Sequence, residues 1–369
     1  MIFSVSRIIS IILNKGGMSD VAKAYLNYFQ VPKDAYLFVF YDMRIFTPFE
    51  SDRIIFFNDP NLYNFSKTEQ LQKLVACVQE KVQVLGAKKV VCDFHTYRYF
   101  EGLPVEIIAD VHYLIKYVNS LPRPSHELYD ENIPINIQLR FSREEALKGK
   151  YEKEMLKASS KIIANSDYTA SLLQNNYQIE ANKITTIPVS SVLAPSAKRI
   201  DIKNANKSIL YHGRFNIHKR VDYLIHLGHC IDEEIFLYGA TESTKIKAEK
   251  LAGKNTVVEL WNNDIDSVIS ESVFHIFPSH YEPWGLALTK SMAAGGICIA
   301  NKNGRGHCEQ IDDGVNGFLL DFEGEDWVEK VKNILSLSEI QLLEISIAAQ
   351  KKAQALCLGE YCKKILDLI

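Results

Sequence analysis

The sequence predicts an α/β protein built from two open, parallel sheets. Three observations carry this. Short apolar runs alternate with helix-period segments along nearly the whole chain, the pattern of parallel strands covered on both faces. The 369 residues exceed one ordinary core and suit two domains. A polar, aperiodic stretch from Ser190 to Lys207 separates the two alternating halves and has the composition of an interdomain crossing.

In the first half, strands are expected at Ile8–Leu13, Tyr36–Tyr41, Lys89–Phe94, Val105–Val111, Lys161–Ala164 and Ile184–Ile187. Helices fit Ser19–Phe29, Thr68–Leu85, Lys150–Ala158 and Ser166–Asn175, with Ser66 and Ser166 as N-caps. After the crossing, strands are expected at Ser208–His212, Glu234–Tyr238, Thr256–Leu260, Val273–Phe277, Gly296–Ala300 and Gly317–Leu320. The tail reads as helix over Glu339–Ala355 and Gly359–Leu368.

Composition narrows the function classes. With 47% hydrophobic and 24% charged residues, the chain is expected to be a soluble globular protein. A net charge of −3 gives no footprint of nucleic-acid binding. The local basic excess around Arg140, Arg143, Lys148, Lys150, Lys153, Lys157 and Lys161 fits a solvated helix with Glu–Lys pairs. An anionic acceptor or a membrane surface is the competing reading. Seven scattered cysteines without a CxxC pair suggest reduced thiols in a cytoplasmic protein, and no metal site is implied. Met1 to Leu13 is too short and interrupted to span a bilayer and lacks a signal-cleavage pattern.

Ligands of parallel α/β sheets bind beyond the carboxyl ends of strands, so chemistry is sought there. The most telling segment is His280-Tyr-Glu-Pro-Trp-Gly-Leu-Ala-Leu-Thr-Lys290, between a buried strand and a helix. Gly285 and Leu286 open that helix, so their free amides suit a phosphate, and Glu282 beside them suits a sugar hydroxyl. Gly213 and Arg214 end another strand and Lys219 is expected to open the next helix; two cations there read as a diphosphate site. Gly16-Gly17 after the first strand could admit a ligand's close approach, or form an ordinary turn. His112 ends a strand and could meet a sugar hydroxyl or carbonyl, against the plain reading of a structural histidine. His95, Tyr97 and Arg98 follow another strand and are candidates for an acceptor. Trp261 to Ile265, including Asn262, could hold a nucleobase or merely cap a helix at Asn263 or Asp264. Gly239, at the end of the Glu234–Tyr238 strand, could also admit a ligand. Gly304 to Glu309 adds glycines and a carboxylate near the same crevice, and Asp313 to Phe318 reads as a turn without chemistry.

At these residues the second half resembles the retaining nucleotide-sugar glycosyltransferases of the GT-B fold, particularly glycosyltransferase family 4. The matching elements run in order: Gly213-Arg214 with Lys219-Arg220, Phe277-Pro-Ser279, Glu282-Pro-Trp-Gly-Leu286, Met292-Ala-Ala-Gly295, Gly304 to Glu309, and Asp313 to Phe318. They cover residues 207–320. Gly16-Gly17, His112, Ile163 to Tyr168 and Lys183 to Pro188 match more loosely.

The resemblance implies two Rossmann-like domains facing across a cleft: 1–195 for the acceptor and 196–350 for the nucleotide sugar. A terminal helix, 351–369, would pack back on the first domain. It implies that Arg214 and Lys219 hold the diphosphate and stabilise its departure in place of a metal, so no cofactor is expected. Glu282 and His112 would contact the donor sugar. Gly16, Gly17, Gly213, Asn262, Ile265, Trp284, Gly285, Leu286, Lys290 and Glu309 would line the donor site. The implied partners are a UDP- or GDP-sugar and a glycan or lipid-linked glycan acceptor, in glycan or polysaccharide assembly. Peripheral contact at the inner membrane face would follow from the lipid-linked case.

Two departures stand out. Many relatives carry Asn-Gly where this chain has Val189-Ser190. At Lys290 many carry a glutamate that accepts from the ribose, and a lysine tip cannot accept. Glu309 could hold the ribose instead, Lys290 could add a cation near the diphosphate, or the site could have decayed. The competing functions are a non-catalytic nucleotide-sugar-binding or partner subunit and a GT-B nucleotide-sugar epimerase.

Overall fold

The structure, a computed structural model, describes residues 6–13, 35–44, 46–60, 62, 68–122, 125–129, 135–190, 200–202, 206–262 and 264–368. The chain divides into two compact units: residues 1–120, 133–189 and 361–369 form the first, and residues 121–132 and 190–360 the second.

The first unit holds a seven-stranded sheet. Its strands are β1 (Ser6–Leu13), β2 (Ala35–Tyr41), β3 (Ile54–Asn58), β4 (Ala87–Cys92), β5 (Glu106–Val111), β6 (Ser159–Ala164) and β7 (Ile184–Thr186), in the order β3-β2-β1-β4-β5-β6-β7. Every pairing is parallel. Strand β3 was not expected from the sequence; among the described residues it pairs only with β2, from Leu37 beside Ile54 to Tyr41 beside Asn58. The helix predicted at Lys150–Ala158 is longer and starts at Ile135. Thr68 caps the helix Glu69–Val84 and Ser166 caps Asp167–Tyr177, each accepting a first-turn N–H. The expected helix at 19–29 and the cap at Ser66 lie outside the described residues. The first unit also takes in the end of the last helix, Leu358–Leu368, whose Tyr361 hydroxyl donates to Asp110 at 3.2 Å.

The second unit holds six parallel strands: β8 (Asn206–His212), β9 (Ile235–Ala240), β10 (Thr256–Leu260), β11 (Ser272–Phe277), β12 (Ile297–Asn301) and β13 (Phe318–Leu320). Their order is β10-β9-β8-β11-β12-β13. Every residue of β11 and β12 is buried, which is why both read as continuous apolar runs. Ile209, Leu210, Phe274, Ile276 and Ile299 from this sheet pack with Trp327 and Val331 of the helix Trp327–Leu335. Strand order reverses between β8 and β11. A ligand of such a sheet belongs beyond the carboxyl ends of those two strands.

The basic segment lies on and just after the helix Ile135–Ala158, and its lysines are partly paired. Lys148 meets Glu145 at 2.6 Å and Lys150 meets Glu154 at 3.6 Å, as for a solvated helix face. The seven cysteines form no disulfide among the described residues. Among the described residues, no helix is long and apolar enough to cross a membrane.

Candidate functional site at the β8–β11 crevice

The strand ends of the second unit bring together much of what the sequence singles out. A pocket beyond β8 and β11 is lined by His212 and Gly213 from the end of β8, Lys219 after it, Ser279 and Glu282 after β11, and Gly285. Lys219 Nζ and Glu282 Oε2 form a half-buried ion pair over it. Arg214, one residue past Gly213, is exposed, and its guanidinium makes no hydrogen bond or ion pair among the described residues.

The loop from β11 to the next helix is held by three devices. Glu282 donates its backbone N–H to Gly304 O at 3.1 Å, which fixes the Glu282 backbone against the Gly304–Glu309 loop. Gly285 adopts φ +95°, where side chains are strained, and starts the helix Leu286–Ala294. Buried Gln310 donates to Trp284 O at 2.5 Å and accepts from Thr289 Oγ1 at 2.7 Å, tying the helix start to the neighbouring loop. A helix start leaves its first amides without intrahelical partners, so the turn at Leu286 offers N–H groups to an anion.

Lys219 differs from its expected place. It ends a short 3₁₀ turn, Ile217–Lys219, which Asn216 caps through Lys219 N at 3.1 Å; the following helix begins only at Asp222. The turn, not a helix dipole, aims the lysine at Glu282. Gly239 also differs. A Cβ on it would lie 2.1 Å from Gly213 O, so the glycine admits the close approach of the backbone that follows β8.

Lys290 lies on the helix Leu286–Ala294, half-buried, with Asp266 at 3.8 Å. Asp266 belongs to the helix Ile265–Ile269 that follows β10. Asn262 accepts the backbone N–H of Asp264 at 2.8 Å, and Asp264 makes no side-chain cap; Asn263 lies outside the described residues. Ile265 packs half-buried on the core, and Trp261 beside them is 46% exposed. Trp284 is buried, its indole N–H has no partner among the described residues, and it does not line the pocket. Glu309 is half-buried on the 3₁₀ turn Gly306–Gln310, beside the pocket-lining His307. Nothing in the sequence singles out His212 or Gln310, and Ser279 and His307 stand there only as members of longer matching segments. His212 reads as an ordinary strand residue, and only strand order puts its ring at the crevice.

In the first unit, His112 ends β5 and bonds Asp110 Oδ2 through Nε2 at 3.0 Å. Burial alone would lower its pKa; the Asp110 and Asp93 carboxylates outweigh that and hold it above the ordinary histidine value. His112 Nδ1 and Asp110 Oδ1 are buried without a hydrogen-bond partner among the described residues. His95 bonds Asp93 at 3.1 Å and is half-buried. Tyr97 and Arg98 are corrections to the acceptor expectation, because both are buried. The Arg98 guanidinium donates to Asp59 at 2.7 Å, to Tyr99 Oη at 2.7 Å and to Leu62 O at 3.2 Å, an internal staple with no free face for a ligand. Gly16 and Gly17 lie outside the described residues.

Residues 195–352 match the family described as glycosyl transferases group 1. A curated relative from Bacillus subtilis, the uncharacterized glycosyltransferase YqgM, is 26% identical over 151 residues. That match covers 38% of this chain and 42% of the relative's length. Solved structures align over nearly the whole chain. Sucrose-phosphate synthase from Thermosynechococcus elongatus has a TM-score of 0.72 at 16% identity, covering 98% of both chains. HepE from Anabaena, solved with UDP and glucose, has a TM-score of 0.69 at 15% identity, covering 99% of both. A Rickettsia africae glycosyltransferase has a TM-score of 0.66 at 15% identity, covering 99% of this chain and 98% of that one. Residues 195–352 are thus similar to the glycosyl transferases group 1, and the fold over nearly the whole chain is that of the solved GT-B glycosyltransferases.

Proposed function

We propose that the chain transfers a sugar from a UDP- or GDP-sugar to an acceptor hydroxyl with retention and without a metal. The second unit takes the donor and the first unit takes the acceptor, a glycan or lipid-linked glycan in glycan or polysaccharide assembly. The setting we propose is cytoplasmic, with peripheral contact at the membrane face when the acceptor is lipid-linked.

One observation carries this reading: a cation and an acid, Lys219 and Glu282, meet over one pocket at the strand-order switch. The flanking groups are of the right kinds. Arg214 and the amides of the Leu286 turn suit phosphate, and Glu282 suits a sugar hydroxyl. In the proposed reaction, the bond from the anomeric carbon to the diphosphate oxygen breaks. Negative charge grows on that oxygen, where Arg214, Lys219 and the amides stabilise it. The acceptor oxygen bonds the anomeric carbon from the same face, and its proton passes to the departing phosphate. In the first unit, His112 is the proposed polar group, held by Asp110. The likeness to a fold solved with UDP and glucose supports the donor class.

A thermal-shift panel of nucleotide sugars tests this. A donor at about 100 times its Kd adds roughly 2.7 kcal/mol of stability. The reading expects one nucleotide sugar to raise the melting temperature well above the rest, and a flat panel contradicts it.

A further inference from the structure

Beneath the crevice runs a chain of buried polar groups that the proposed reaction does not use. His275, within β11, has Nε2 at 3.0 Å from Ser272 O, so that nitrogen carries the proton. Its Nδ1 is then an acceptor, and Ser291 Oγ at 2.9 Å donates to it. With its proton committed, Ser291 Oγ accepts from His212 Nε2 at 2.9 Å. Each link fixes the next, because a neutral imidazole has one donor and one acceptor. The outcome is that His212 Nδ1 carries a lone pair.

That lone pair is available. His212 lines the pocket beside Gly213 and Lys219, and its Nδ1 makes no hydrogen bond among the described residues. It is also absent from the polar atoms that are sealed from solvent without a partner. The room for the chain is built in: a side chain on Gly296 would come within 2.6 Å of the His275 ring. Burial, then His275, Lys290 and Lys219, hold His212 well below the ordinary histidine value, and burial pushes His275 down to about 4. Both rings are therefore neutral near pH 7.

A neutral, fixed acceptor cannot bond phosphate oxygens, which are acceptors themselves. Gaining a proton there is opposed by burial and by two nearby cations. It can take a hydroxyl. We propose that His212 reads the sugar of the donor, its Nδ1 accepting a hydrogen bond from a hydroxyl of the transferred group. This rests on the donor-site reading of the crevice.

The test is calorimetric titration of the wild type, His212→Phe and His212→Asn with UDP, GDP, UDP-glucose and GDP-mannose. Phenylalanine fills the ring volume without a lone pair; asparagine puts Oδ1 near the place of Nδ1. For the nucleotide that binds, His212→Phe should leave nucleoside-diphosphate affinity within about twofold. It should weaken the sugar form roughly five- to tenfold, the worth of one hydrogen bond. His212→Asn should recover most of that loss. Equal effects of His212→Phe on both ligands, or none on either, overturn the inference. Should His212→Phe not fold, ¹⁵N spectra of the histidines in the wild type decide it: a proton on His212 Nδ1 in the free protein overturns it, and a bare Nδ1 that shifts with the nucleotide sugar alone supports it. A wild type that binds none of the four ligands contradicts the donor-site reading itself, and the role of His212 falls with it.

Discussion

Lys219 and Glu282 are paired with each other across the pocket, although the proposed reaction gives them different parts of the donor. Their contact must open when a ligand enters. Lys219 is then free for phosphate and Glu282 for a hydroxyl. A nucleoside diphosphate without sugar opens the pair but offers Glu282 nothing in return.

Glu282→Gln should therefore separate binding from turnover. Removing the carboxylate releases Lys219, so UDP or GDP should bind roughly two- to tenfold tighter, the scale of a half-buried ion pair. Sugar transfer by the same variant should fall by at least about a hundredfold. Titration with the free nucleotide and a transfer assay give the two readouts. Weaker nucleotide binding would show that the pair does not compete with the ligand.

Lys290 has a partner, Asp266, and that changes what a substitution there should do. Lys290→Glu sets two carboxylates side by side, where a cation and an acid stood. The expected result is several-fold weaker donor binding and a stability loss of about 0.5–1 kcal/mol, small because Asp266 is exposed. Adding Asp266→Lys should restore stability. Tighter donor binding by Lys290→Glu alone would mean that a ribose acceptor was simply missing at this position.

Arg98→Ala should destabilise the first unit by about 3–5 kcal/mol, because it leaves Asp59 charged and buried. Urea unfolding reads this directly. The acceptor dependence of the surviving folded protein should not change. A stable Arg98→Ala variant with a raised acceptor KM would return Arg98 to the acceptor site.

Stability should depend on pH through His275. Burial depresses its folded pKa to about 4, below the ordinary histidine value of about 6.5, so the unfolded chain binds the extra proton first. The contribution is complete above about pH 6.5 and is lost as pH falls toward 4, on the order of 3 kcal/mol in all. His212 and His307 are lowered as well and act in the same sense. His112 is raised and acts oppositely: its contribution is present at low pH and fades as pH rises through its folded value. Unfolding free energies between pH 7.5 and 4.5 should fall steeply for the wild type and less so for His275→Leu. Parallel curves would contradict the neutral, buried assignment of His275.

Much of this was legible in the sequence because parallel strands buried on both faces leave uniform apolar runs, as in β11 and β12. Glu282, Gly285 and Arg214 sit where strand ends put them, since local turn chemistry is local in sequence. Edges were harder. Among the described residues strand β3 has a neighbour on one side only, and its Ile-Ile-Phe-Phe run is too short to separate from a loop. Pairings over long separations were invisible. Nothing local links Lys290 to Asp266, Arg98 to Asp59, or His212 to Ser291; each pair meets only once the sheet order is set. The approach of the Gly213 backbone to Gly239 was equally invisible, because a glycine at a strand end serves a ligand or a neighbouring backbone equally well.

Transfer of a radiolabelled sugar by the Arg214→Ala variant tests the central claim most directly. The variant should fold correctly, because Arg214 is exposed and bonds nothing through its side chain among the described residues. Its transfer should fall by about a hundredfold or more, since the charge on the departing diphosphate loses a cation. Unchanged transfer by folded Arg214→Ala would contradict the assignment of the β8–β11 crevice as the donor site.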